Sequence, residues 1–151
     1  MRTLDNIKNL LLEQINSYRL LLDLLQRERE SLVNLDAGEV EAISKEKDTI
    51  VIRLRLIEEE RIRLVGKFLA EKHLAGNLSL QRIVEITGDE TLKMLRLQLV
   101  SLLQSIEELN AFNMVLIGRS LNFIKHSMAF LESFGLDIDQ LNTGTIFSRE
   151  I

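Results

Sequence analysis

The chain has 151 residues, 19 basic and 23 acidic side chains for a net charge of -4, seven glycines, and neither proline nor cysteine. That length suits one domain, the lack of proline favours long uninterrupted helices, and the lack of cysteine excludes disulfides, thiol nucleophiles and thiolate metal sites. Charges of both signs are interspersed without a long single-sign block, which argues against nucleic acid and anionic membrane as partners.

The opening Met1-Arg2-Thr3-Leu4-Asp5 leads straight into a charged helical pattern and carries no apolar targeting segment, so a cytoplasmic protein is expected. Uncharged runs such as Leu97 to Ile106 and Leu109 to Gly118 are about half the roughly 20 residues that span a bilayer, and no transmembrane segment is predicted. The first helix is expected to start at Thr3 as a cap. Its apolar stripe runs through Leu4, Leu11, Ile15, Tyr18, Leu22, Leu25 and Leu32 at helical spacing. Asp36-Ala37-Gly38-Glu39 supplies a capping box for a second helix, with the side chain at 36 accepting from backbone donors and Glu39 reaching back. There the stripe continues through Val40, Ile43, Ile50, Leu54, Ile57, Leu64 and Phe68. The second helix is expected to end near His73 to Gly76, because Ala75-Gly76-Asn77 offers a left-handed stop; Ser79 to Ile86 offers a short helical turn, and Thr87-Gly88-Asp89 a further break.

A third helix is predicted from about Glu90 to Phe134, over 60 Å if unbroken at roughly 1.5 Å per residue, with Gly118 as the expected point of bending. It carries two apolar stripes. One follows Leu92, Leu95, Leu99, Leu102, Ile106, Leu109, Ile117, Ile124 and Leu131, interrupted by Asn113 and Ser120. The other, about 100° around the helix, follows Phe112, Leu116, Phe123 and Phe130, with Phe134 close by. Either the wide face fills a three-helix core or a homodimer interface, or one stripe forms a partner-binding face with the adaptable side chains Met114 and Met128. The last seventeen residues, rich in Asp, Asn, Thr and Gly, read as a flexible tail. The expected fold is all-α: an elongated antiparallel bundle or coiled-coil hairpin of three long helices with a short linker helix, one domain over residues 1–134 and a tail over 135–151.

Chemical sites find little support. A carboxylate di-metal bundle needs Glu-x-x-His pairs, but Ala70 and Phe123 stand three residues before His73 and His126, which read as capping or solvated residues. Gly118-Arg119-Ser120 lacks the glycine spacing and lysine of a phosphate loop, and Asp137-Ile138-Asp139 with Asn142 and Gly144 lacks the ligand spacing of a calcium loop. No cluster of titratable residues is expected on an apolar face, so no enzyme, no cofactor and no small-molecule substrate are predicted. Asn113 and Ser120 read as small polar groups that fix helix register.

The segments Glu28-Arg29-Glu30-Ser31-Leu32, Asp36-Ala37-Gly38-Glu39, Lys47-Asp48 and Leu56-Ile57-Glu58-Glu59-Glu60-Arg61 resemble the first half of FlgN-type flagellar export chaperones. The run from Asn113 to Ile124, with Asn113, Ser120, Leu121 and Phe123 at the motif positions, is similar to the family's pattern on its last long helix. Family members often end that helix on a Tyr before a short tail, whereas this chain has Phe134-Gly135-Leu136-Asp137 and its one Tyr at 18, so a tail contact through a phenolic hydroxyl is unavailable to it.

The resemblance implies a cytoplasmic chaperone that holds the C-terminal helices of hook-associated proteins (FlgK/FlgL-like, from the hook–filament junction) unpolymerised. It also implies delivery to the flagellar type III export gate or ATPase components. The tail from Gly135 is expected to help in hand-over or docking. The second stripe gives this role a physical basis, since an amphipathic cargo helix can bury Phe112, Leu116, Phe123 and Phe130. A self-associating coiled-coil module, or a regulator that sequesters another helical partner, would use the same face.

Overall fold

A computed structural model of the chain describes residues 2–135 and places them in four α-helices with no strand among them. Helix α1 spans Arg2–Val33, α2 Ala37–Glu71, α3 Leu80–Thr87 and α4 Glu90–Ser133, making the protein an all-α helical bundle. The tail expected beyond Gly135 lies outside the described residues.

Each helix boundary has a local cause. Helix α1 closes with Leu35 in the left-handed region at φ 55°, where the Asp36 amide donates to the Ser31 carbonyl and the Leu35 amide to Leu32. Asp36 then caps α2 by accepting the Glu39 amide at 3.1 Å. Only half of the expected capping box forms, because the Glu39 carboxylate turns away to Arg27 at 2.8 Å. The left-handed stop of α2 falls on His73 at φ 57°, ahead of the expected Ala75-Gly76-Asn77. There the His73 amide donates to Ala70 and the Leu74 amide to Leu69, so the last carbonyls are already satisfied when the chain reaches Gly76.

The short third helix matches its expected start and stop. Ser79 accepts the Arg82 amide, and Gly88, left-handed at φ 63°, closes the end by donating to Val84. Asp89 caps α4 by accepting the Leu92 amide at 2.9 Å. Thr3 does not cap α1; it lies buried inside the helix and donates its hydroxyl to Glu71 at 2.9 Å, tying the start of α1 to the end of α2. Gly118 sits on the exposed side of a single continuous α4.

The described chain forms two compact units. The first combines Met1–Leu22 with Asp48–Ile106, and the second Asp23–Lys47 with the chain from Glu107 onward. In the first unit α1 and α2 are antiparallel, since Thr3 bonds Glu71 and Gln14 bonds Glu58. Ile7, Leu11 and Ile15 of α1 pack with Leu64, Val65, Phe68 and Leu69 of α2, Leu80 and Ile83 of α3, and Leu92, Leu95 and Leu99 of α4. Burying each of these side chains stabilises the fold by about 1.5–3 kcal/mol before entropy is counted. The second unit has an apolar cluster centred on Leu32 and Val40, bordered by Ala37, Leu116, Ile117, Leu121 and Ile124. Leu24, Leu25 and Ile43 are also buried in this unit.

Candidate partner-binding face

The C-terminal half of α4, which belongs to the second unit, has an unusual inner edge. Among its described residues only Asn113 and Ser120 are buried, at 0% and 6% exposure, while Leu109, Ile117, Ile124 and Leu131 around them are half-buried. The stripe through Leu109, Ile117, Ile124 and Leu131 faces inward, and its centre line is polar. Asn113 Nδ2 donates to the Leu25 carbonyl at 2.9 Å and to Glu28 Oε1 at 2.8 Å. The other oxygen of Glu28 accepts from Lys47 Nζ at 2.9 Å, with the carboxylate fully buried and the lysine side chain 8% exposed. The Asn113 amide oxygen has no hydrogen-bond partner.

This network corrects the expectation that no titratable cluster lies on an apolar face. Glu28 occupies the step between Leu25 and Leu32 on the α1 stripe, and Lys47 the step between Ile43 and Ile50 on α2. A charge at a stripe position on each of two neighbouring helices was the available signal. The arrangement is a closed ion pair with an amide on it, so it holds helices together and leaves no free acid or base.

The outer side of the same half-helix is aromatic. Phe112 is 50% exposed, Phe123 and Phe130 62%, and Phe134 68%. Phe112, Phe123 and Phe130 share a face about 100° from Asn113, and the rings of Phe130 and Phe134 meet edge-on with centroids 4.8 Å apart. Met114 is exposed and Met128 half-buried. Leu116 departs from the expected free stripe: it stands some 60° from Asn113, closer to the inner edge than the three rings, and packs beside Leu32 and Val40. Of the motif residues, Asn113 and Ser120 are buried and Leu121 is half-buried.

The first unit holds a separate polar group. Gln14 donates to Glu58 at 2.8 Å, and Arg61 pairs with the same carboxylate through two nitrogens. The Arg61 hydrogen bonds hold the Glu58 carboxyl below the usual glutamate range, and burial, with the Glu58 charge adding to it, pushes the Tyr18 phenol up. Tyr18 and Glu58 border a shallow apolar groove of about 420 Å³ with Leu21, Val51, Leu54 and Ile62. Since Arg61 already engages both Glu58 oxygens, this cluster is also a structural tie. Among the described residues no group of acidic or histidine side chains is placed to hold a metal ion, and no helix is long and apolar enough to cross a membrane. His73 serves as a helix stop, and His126 lies exposed on α4.

What the second unit offers is therefore a row of exposed rings on a helix whose inner edge, about 100° away, is pinned. Such a row can bury the apolar face of another helix without any chemistry at the contact. Comparison with known proteins gives one positive finding: the family model described as FlgN protein matches residues 1–134. No match was found among curated proteins or among solved structures.

Proposed function

The chain belongs to the FlgN family, a family of flagellar export chaperones that bind hook-associated proteins, and from that premise we propose that its own cargo site is the aromatic row of α4. A hook-associated subunit awaiting assembly carries amphipathic terminal helices meant for its neighbours in the polymer. Laid along α4, such a helix would bury Phe112, Phe123 and Phe130 at intervals that match its own helical repeat, with Phe134, Met114 and Met128 adapting at the margins. Capture there keeps the subunit from polymerising in the cytoplasm. Delivery to the export gate or ATPase components then needs no energy from the chaperone, because a competing contact at the gate suffices for release. The observation that carries this reading is that the aromatic row stays exposed although the same helix has an inner edge to bury.

Calorimetric titration with the purified C-terminal helical segment of a hook-associated protein, with light scattering to fix the mass of the complex, tests the proposal. Saturable binding by the natural chain is expected. The Phe123→Asp variant should lose about tenfold or more in affinity while keeping its helicity and melting temperature, because the ring is exposed in the free protein. Unchanged affinity in Phe123→Asp would move the site off this row. Absence of binding together with a stable dimer would turn the row into a self-association surface.

A further inference from the structure

The inner edge of α4 raises a question that apolar burial does not answer. In its C-terminal half the helix has two stripes to choose from. The buried one is broken by Asn113 and Ser120, and the exposed one has Phe112, Phe123 and Phe130. Turning α4 by about 100° about its axis would exchange them, since Phe112 and Asn113 are adjacent and successive residues differ by about that angle. Apolar area alone does not select between them, because three rings on one face stand against the half-buried Leu109, Ile117, Ile124 and Leu131 on the other. The structure buries the stripe that contains the amide and the hydroxyl.

The groups that decide between the two are polar. Glu28 is fully buried, and each of its carboxylate oxygens has a donor: Lys47 on one and Asn113 on the other. In the turned arrangement a phenyl ring stands where the Asn113 amide was, and one oxygen of a buried carboxylate loses its donor, a loss that apolar contacts do not replace. The second bond of the same amide, to the Leu25 carbonyl, adds a fixed point about one helical turn away along α1. Two acceptors one turn apart define both the rotation of α4 and its position along the axis. The amide cannot flip to satisfy its own unpaired oxygen, because both groups facing Nδ2 are acceptors.

We propose that Asn113 is a positioning residue, which, through Glu28 and Lys47, selects the face of α4 that is buried and so keeps the Phe112, Phe123 and Phe130 row displayed to a partner helix. Buried amides that fix register at some expense of stability are known from coiled coils. Here the amide chooses between two seams of one helix. The use of the displayed row rests on the cargo-binding reading above, but the choice of face does not, and the two can be tested apart.

The chain has no cysteine, so single cysteines report the face directly. Ser120→Cys probes the buried edge at 6% exposure and Phe123→Cys the outer row at 62%. With Asn113 present, maleimide should modify position 123 about tenfold or more faster than position 120. In the Asn113→Leu background that ratio should collapse to within about threefold or invert. Should Asn113→Leu alone fail to fold, Asn113→Leu combined with Glu28→Leu and Lys47→Met removes the buried charges along with the amide and carries the same expectation. An unchanged labelling ratio in either folded background overturns the proposal. The cysteine-free Asn113→Leu chain, titrated with the cargo segment, should bind about tenfold more weakly than the natural chain. If the natural chain binds no segment, the cargo reading falls while the labelling ratio still decides the role of Asn113.

Discussion

The two units of this protein are built from the same helices by different means. In the first, the buried side chains are overwhelmingly aliphatic or aromatic, from Ile7 and Leu11 through Phe68 to Leu99, with Thr3, Gln14 and Ser17 as the polar minority. In the second, Leu24, Leu25, Leu32, Val40 and Ile43 share the interior with Glu28, Ser31, Ser44, Lys47, Asn113 and Ser120. A core of the first kind directs only as far as its apolar stripe does, and tolerates exchange among apolar side chains of similar volume. One of the second kind directs more than it stabilises, because hydrogen bonds to a buried charge tolerate few geometries. The proposed binding face sits on the unit whose interior directs.

The largest test of that contrast is truncation in the first unit. Phe68→Ala should cost about 3–5 kcal/mol in urea unfolding, whereas Leu116→Ala, at the margin of the second cluster, should cost less than about 2 kcal/mol. Equal losses would erase the distinction between the cores. Next in size is Lys47→Met, which leaves the Glu28 carboxylate without its cation and is expected to destabilise by about 3 kcal/mol. Replacing both charges, Glu28→Leu with Lys47→Met, should return stability to within about 1 kcal/mol of the natural chain. If the double variant is as unstable as the single one, the pair stabilises outright and the second core is not the directing kind.

The smallest effect concerns the tie in the first unit. Its hydrogen bonds from Arg61 hold the Glu58 carboxyl below the ordinary value, so its contribution to stability is complete above about pH 4.3 and fades as pH falls through the lower folded value. The deficit of Glu58→Gln in melting temperature should therefore be greatest near neutral pH and shrink between about pH 5 and pH 3. A deficit that grows on acidification would reverse the assignment.

Periodicity made most of the fold legible. The stripes through Val40, Ile43, Leu54, Ile57, Leu64 and Phe68, and through Leu92, Leu95 and Leu99, are the buried faces of α2 and α4. Ser79 and Asp36 stand at the helix starts their side chains suit. The second helix stops at the near edge of the expected stretch, on His73 and not on Gly76. Glycine is the usual left-handed stop, but a helix ends where its carbonyls find partners, and the Leu74 to Leu69 bond forms before Gly76 is reached. On α1 the stripe passed over Ile7, which is fully buried and lies on the same seam, three residues after Leu4 and four before Leu11. As for the site, the aromatic row could be read from spacing, but the choice between the two stripes of α4 could not. That choice depends on Glu28 and Lys47, which lie on other helices, and no pattern within α4 contains them.

The Glu28 network also sets an order of events on a growing chain. Lys47 follows Glu28 by 19 residues, whereas Asn113 follows it by 85. At a ribosomal pace of roughly 5–20 residues per second, the 66 residues from Lys47 to Asn113 take on the order of 3–13 s to emerge. During that interval the chain carries the carboxylate and its cation but not yet the amide. The aromatic row arrives in the same stretch of chain as that missing amide, with Phe112 beside it and Phe123 and Phe130 after it. A nascent protein of this kind thus acquires its stickiest surface together with the group that orients it.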